Sequence, residues 1–202
     1  MKTKMKALAL ALCAVLLVVT TVFVTMAYLT SEDTVKNTFT VGKVTIMLDE
    51  ADVDEAGEVV AGADRTKTDG RVHTNEYHLI PGHEYTKDPT IHVDAKSEDC
   101  WLFVKLENGL KDIIDVKTIE TQMTEKGWMC IDETDNIWAY KETVEGGENI
   151  DVFDEFKLKD NADVSKYATE DNESNVINVT AYAVQADGFS TEQEAWNATF
   201  GA

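Results

Sequence analysis

The chain has 202 residues, with 18 basic and 38 acidic side chains and a formal net charge of −20. Hydrophobic residues make up 44% of the sequence, which is too many for a wholly disordered chain. So strong a negative charge repels nucleic-acid phosphates, so nucleic acid is excluded as a partner. A single long apolar run excludes a multipass membrane protein. The length fits one domain, or at most two small ones.

The first 27 residues carry the features of an export signal. Three lysines precede an uncharged run whose apolar centre spans residues 7–27. The small residue Ala27 predicts cleavage before Tyr28, although a run of this length also fits a retained anchor. In both cases residues 28–202 are expected outside the cytoplasm, either secreted or held at the cell surface. The chain then touches the membrane only through residues 7–27.

The remainder of the chain is expected to form one all-β domain, an antiparallel β-sandwich of jelly-roll type with one or two short helices, preceded by the N-terminal signal helix. Short alternating apolar stretches separated by turn signals favour this architecture. The predicted strands occupy residues 37–48, 72–80, 85–93, 100–106, 128–131, 137–140, 150–158 and 176–186. The strand over 100–106 is apolar on both faces, Pro81 and Gly82 predict a turn, and residues 132–135 predict the loop of a hairpin. Helical spacing over 110–126, and a capping box that begins at Ser190, predict the helices.

An acidic stretch interrupts the predicted strands at residues 49–70. It is rich in glycine and alanine and is interpreted as a long loop. Its carboxylates begin with a dense cluster: Asp49, Glu50, Asp52, Asp54 and Glu55. Oxygen ligands of this kind suit calcium, but Ala56 and Ala63 occupy ligand positions of an EF-hand loop that begins at Asp52. A solvated acidic surface is therefore expected, and weak divalent binding is the alternative.

Two cysteines remain outside the leader, Cys100 and Cys130, both in strand-like apolar runs. An exported protein can oxidise such a pair to one disulfide. Two free thiols are the other interpretation, and the sequence does not choose between them.

The sequence matches none of the common catalytic motifs. Four histidines occur in one region of the chain: His73, His78, His83 and His92. Neighbours five residues apart lie on opposite faces of a strand. His83 and Glu84 begin like a zinc-protease helix, but Lys87 stands where the second histidine is needed. Nucleophile elbows, phosphate-binding loops and dinucleotide fingerprints are also absent. The sequence therefore predicts no catalytic, cofactor or metal site.

Three groups of residues, in chain order, carry a family resemblance. They are 27–29 with 38–48, then 80–82 with 87–91 and 101–105, and finally 181–189 with 195–196. In this order they resemble the TasA/camelysin family of exported Gram-positive proteins, whose leader is removed by a dedicated SipW-type signal peptidase. The resemblance implies a secreted jelly-roll protein that assembles into biofilm-matrix fibres.

Fibres of that family grow by donor-strand exchange, in which the segment freed by cleavage adds to a sheet of the next subunit. The resemblance therefore assigns residues 28–41 as the donor strand, and another copy of the chain or a related matrix subunit as the partner. The apolar residues of this segment are Tyr28, Leu29, Val35, Phe39 and Val41. Residues 43–48 are expected to pair within their own subunit.

Two other functions stay open at this point. Relatives of camelysin are classed as cell-surface metallopeptidases, and the four histidines would be the ligands in that case. A monomeric surface module would instead recognise an unknown partner through the loops 49–70 and 160–174.

Overall fold

Antiparallel strands dominate the computed structural model, which describes residues 43–115, 119–167 and 175–201. The strands are β1 (Ile46–Val53), β2 (Val59–Ala61), β3 (Arg71–Val72), β4 (Glu84–Thr86), β5 (Thr90–Val93), β6 (Cys100–Asn108), β7 (Trp128–Asp132), β8 (Ile137–Tyr140), β9 (Asn149–Asp151), β10 (Glu155–Lys157) and β11 (Ile177–Gln185). The helices are α1 (Ile119–Glu125), α2 (Glu192–Thr199) and a short 3-10 helix (Val164–Tyr167). The expected all-β, antiparallel class is confirmed.

The strands form two larger sheets and one small pair. The first sheet has the order β2-β1-β5-β9, with β3 also paired to β1. The second sheet has the order β11-β6-β8-β7, and β4 pairs with β10 alone. Every pairing in these sheets is antiparallel.

Side chains from both larger sheets pack into one core. Ile91 of the first sheet and Leu102 and Val104 of the second are completely buried within it. The opposite face of β6 carries Trp101 and Phe103, which α2 covers. The prediction that β6 is a strand with two apolar faces is therefore confirmed.

Turn-forming residues account for several strand boundaries. Pro81 and Gly82 form the predicted turn, where Gly82 has a φ of 77°. Pro89 lies between β4 and β5, so the predicted strand over 85–93 is two short strands. The strand predicted over 72–80 is wrong beyond Val72, because the chain leaves the edge of β1 there.

The acidic stretch over 49–70 contains more strand than its composition predicts. The first sheet includes residues up to Val53 through β1, and β2 follows within the same stretch. The expected solvated surface is wrong for Asp49 and Glu50, which are each only 4% exposed. Both carboxylates have buried or nearly buried cationic partners, which removes the need for solvation.

The helices are shifted relative to their predictions. Within the predicted 110–126, only α1 is helical in the described residues, and Ile114 instead forms a β-bridge with Leu158. The cap of α2 is Thr191 rather than Ser190, because Thr191 Oγ1 accepts the amide of Glu194. The Glu194 carboxylate in turn accepts the amide of Ser190.

Cys100 and Cys130 are free thiols. Cys130 of β7 lies opposite Trp138 of β8, and Trp138 lies opposite Val104 of β6. The two cysteines are therefore separated by two strand spacings and also by the distance along β6 from Val104 to Cys100. Two strand spacings alone amount to about 9–10 Å, which is beyond the Cα separation that a disulfide spans. Of the two interpretations, the structure has the free thiols.

We expect these thiols to differ strongly in their reactivity with iodoacetamide. Cys100 is completely buried, and burial together with the charges of Asp99 and Glu148 raises the pKa of its thiol to about 11. Little thiolate is therefore present at mildly alkaline pH. Cys130 is partly exposed, although burial raises its pKa too. Mass spectrometry of the native protein should find Cys130 alkylated first, with Cys100 reacting only in urea. Similar rates in the native state would contradict this.

Candidate functional site

An unpaired edge of β11 forms one side of the candidate site. At one end of the strand, the amide of Ala186 donates to Asp99, and at the other the carbonyl of Val176 accepts from Gly109. In both hydrogen bonds the residue on the β11 side is even-numbered. Hydrogen-bonded pairs recur at every second residue of an antiparallel pair, so the even-numbered residues of β11 face β6. The backbone groups of the odd-numbered residues over 177–183 therefore point to the opposite edge. No strand of the described ranges pairs there.

The first half of β1 has a second open edge. Asp94 donates to the carbonyl of Thr45, so odd-numbered residues of β1 face β5 and the even-numbered residues over 44–48 face away. β2 and β3 pair only with the second half of β1. The carbonyl of Leu48 contacts the ring Nδ1 of His73 at 2.9 Å. The rest of this edge has no strand partner among the described residues.

A groove of about 1240 Å³ is lined by the start of β11, residues 176–179, and by residues 48–50 of β1, and we call it the edge groove. Its apolar lining includes Leu48, Tyr77, Leu79, Phe156, Ile177 and Val179. Glu50, Asn75 and Lys87 contribute polar groups to the same lining. An apolar surface beside unpaired backbone groups is the arrangement that an added β-strand requires.

A buried ion-pair cluster fixes the first sheet near this groove. The Arg71 side chain is completely buried, and its Nε donates to Asp49 Oδ1. Its Nη1 donates to the Gly62 carbonyl at 2.7 Å and to Asp88 Oδ2 at 3.2 Å. Its Nη2 donates to the Thr90 hydroxyl at 3.1 Å. These bonds tie the end of the 62–70 connection to β1 and β5.

A second, more exposed group of charges extends from this cluster. Arg65 Nη1 lies 2.7 Å from Asp151 Oδ2 and 2.6 Å from Asp154 Oδ1. Burial alone lowers the pKa of Arg65, but the hydrogen bonds with the two carboxylates outweigh it and raise the pKa. Burial likewise raises the pKa of Asp154, and the bonds from Lys126 and Arg65 outweigh it and lower the pKa. Asp154 is thus held ionised by Lys126 and Arg65.

Two of the four histidines, His73 and His78, line the edge groove, and the other two make separate contacts. Apart from His73 on the edge of β1, His83 Nε2 contacts the Ala56 carbonyl at 2.8 Å. The ring of His92 lies between Asp49 Oδ1, at 2.8 Å, and Asn149 Oδ1, at 2.6 Å. Residues 43–115, 119–167 and 175–201 contain no group of three or more histidine, cysteine or acidic side chains placed to hold one metal ion.

Several predicted site residues lie outside the described residues. These are the cleavage pair Ala27 and Tyr28 and the predicted donor residues Leu29, Val35, Phe39 and Val41. The apolar run over 7–27 also lies there. In the described part, no helix has the length and apolar character to span a membrane.

Comparisons with known proteins give no relative for this chain. No protein-family model, no curated protein and no solved structure matches it.

The sequence did not predict the edge groove, although the side of the groove formed by β11 has a recognisable sequence pattern. The β11 sequence alternates apolar and polar residues up to Thr180 and then becomes apolar or aromatic at almost every position. That pattern predicts a strand, but it does not say whether the strand lies at the centre or the edge of a sheet. The edge depends on the order of strands, which no local pattern encodes.

Proposed function

We propose that the chain is an exported structural protein, a subunit or accessory subunit of an extracellular biofilm-matrix fibre assembled by donor-strand exchange. Residues 1–27 direct export in this proposal, and cleavage frees residues 28–41 as the donor. The described β-rich domain is then a sandwich of jelly-roll type and a member of the TasA/camelysin family. The single observation that carries the proposal is the edge groove, which offers unpaired backbone beside an apolar surface.

The donor segment has the pattern that such a groove selects. Leu29, Val35, Phe39 and Val41 are all odd-numbered and share one face of an extended strand. That face would pack on the apolar lining, while the donor backbone pairs with the open edge of β11. Residues 28–41 number 14, and β11 has 9 residues, so the donor is long enough to cover the acceptor strand.

The acceptor is assigned to β11 because its open edge is the longer one. The edge of β1 is open only over residues 44–48, and His73 already contacts one of its carbonyls. A head-to-tail contact of this kind does not close on itself, so it generates a filament. A strand edge left without a partner would otherwise be an aggregation hazard.

The same groove supports a second candidate function. An extended peptide from another protein would meet the same backbone groups, so a monomeric surface binding module is the alternative. The two candidates differ in whether the chain's own residues 28–41 are the ligand.

We expect protein that begins at Tyr28 to form filaments visible by electron microscopy, and protein that begins at Gly42 to stay monomeric. A synthetic peptide of residues 28–41 should bind the shorter protein in a titration followed by fluorescence anisotropy. Phe39→Ser should weaken this binding at least tenfold, because a large apolar side chain then no longer enters the groove. Thr40→Ser changes the opposite face of the donor and is the matched control.

Monomers from both proteins, together with no binding of the peptide, would overturn donor-strand assembly. If the shorter protein instead binds unrelated extended peptides equally well, the surface-module candidate gains support. Equal effects of Phe39→Ser and Thr40→Ser would show that the predicted face of the donor is wrong.

A further inference from the structure

In the wall of the edge groove, a buried carboxylate accepts hydrogen bonds from an amine and from a side-chain amide. Glu50 Oε2 accepts from Lys87 Nζ at 2.7 Å, and Glu50 Oε1 accepts from Asn75 Nδ2 at 3.0 Å. The side chains of Lys87 and Glu50 are only 12% and 6% exposed. Three segments distant in sequence, β1, the connection after β3 and the residue after β4, therefore bring together a nucleophile, a proton acceptor and an acyl group.

The Asn75 amide is held in one orientation. Its Nδ2 also donates to the Ala51 carbonyl at 2.8 Å, and its Oδ1 accepts the amide of Val53 at 3.0 Å. Exchanging the oxygen and nitrogen would place two acceptors or two donors together in each of these contacts. The Val53 amide, which donates to Oδ1, is also positioned to stabilise negative charge that develops on this oxygen.

We propose that Lys87 and Asn75 become joined by an intramolecular amide bond, with Glu50 as the proton-transfer group. The bond forms between Lys87 Nζ and Asn75 Cγ, and the bond between Cγ and Nδ2 breaks. This inference concerns the folded subunit and does not depend on fibre assembly.

The reaction needs no co-reactant. Glu50 first takes a proton from the Lys87 ammonium, which leaves a neutral amine to attack Cγ. The Val53 amide donates to the oxyanion of the tetrahedral intermediate. Glu50 then delivers its proton to Nδ2, which departs as ammonia, and this ammonia takes up the second proton that the attacking nitrogen loses. An ammonium and a carboxamide thus become one secondary amide and one ammonium ion, with no net oxidation.

This site differs from an ordinary surface ion pair in its burial. A second group of the same three residue types in this chain is exposed and serves as the comparison. Lys105 Nζ lies 3.1 Å from Glu107 Oε1, and Asn178 Nδ2 donates to Glu107 Oε2 at 3.0 Å. The three residue types are the same, but the Lys105 and Glu107 side chains are 35% and 54% exposed. Water solvates the ammonium and the carboxylate there, so proton transfer between them is disfavoured. We therefore expect no bond at the exposed site.

Mass spectrometry of the full chain, purified folded and then denatured and reduced, tests the proposal. The intact mass should be lower than the sequence mass by one ammonia. Trypsin should fail to cut after Lys87, which leaves a single peptide of residues 72–96 that is lighter by the same amount. Peptides that contain Lys105 and Asn178 should have their unmodified masses.

Glu50→Gln should restore the full mass and the cut after Lys87, since the amide side chain no longer accepts a proton. Lys87→Arg keeps a cation beside Glu50 but removes the amine, so it should also give the full mass. The wild-type spectrum decides the matter even if a variant does not fold. An unchanged wild-type mass with normal cleavage at Lys87 would overturn the proposal, as would loss of a water, which indicates a bond from Lys87 to Glu50 itself.

Discussion

Replacing Arg71 with methionine should lower the free energy of unfolding by about 3–5 kcal/mol, because it leaves two buried carboxylates without their shared cation. The side chains of Asp49 and Asp88 are only 3% and 4% exposed, so water cannot replace the lost contacts. Arg65 still contacts Asp88, and His92 still contacts Asp49, so part of the compensation remains. Urea unfolding followed by tryptophan fluorescence measures the loss as a shift of the midpoint.

Two further variants test whether stability depends on the planar guanidinium of Arg71 and on its burial. Arg71→Lys keeps the charge but offers one compact ammonium in place of a planar fork, so it should lie between the wild type and Arg71→Met. Lys67→Met is the matched surface control, because the Lys67–Asp64 pair has side chains 68% and 50% exposed. Exposed pairs of this kind contribute about 0–1 kcal/mol. Equal losses for Lys67→Met and Arg71→Met would show that burial does not set the strength of the cluster.

Much of the fold follows from local patterns in the sequence. β6 was predicted from a run that is apolar on both faces, and it lies at the centre of the core. The hairpin of β7 and β8 was predicted from two apolar runs around residues 132–135, and both strands form there. In each case the residues that set the pattern are neighbours in sequence, so their spacing alone carries the information.

The buried charges could not be predicted in the same way. Asp49 and Glu50 begin an acidic stretch, and their side chains look like a solvated surface when only neighbours in sequence are considered. Their cations, Arg71 and Lys87, are 22 and 37 residues away along the chain. Burial of an acidic residue depends on such distant partners, and hence on the tertiary fold.

The proposed acceptor edge can be tested with one proline. Ala181 has its amide on the open edge of β11, so Ala181→Pro removes a donor that an added strand needs without removing a hydrogen bond to β6. We expect filaments to be lost while most of the stability is kept. Electron microscopy and urea unfolding of the same preparation measure the two effects separately.

Three comparisons make the result specific to the edge. Ala181→Ser keeps the amide and should keep the filaments. Thr180→Pro removes an amide that pairs with Lys105 of β6, so it should destabilise the domain itself. Ile46→Pro removes an outward amide from the other open edge, that of β1. Filaments that survive Ala181→Pro but not Ile46→Pro would contradict the assignment to β11 and move the acceptor to β1, because only a strand paired with that edge needs the Ile46 amide.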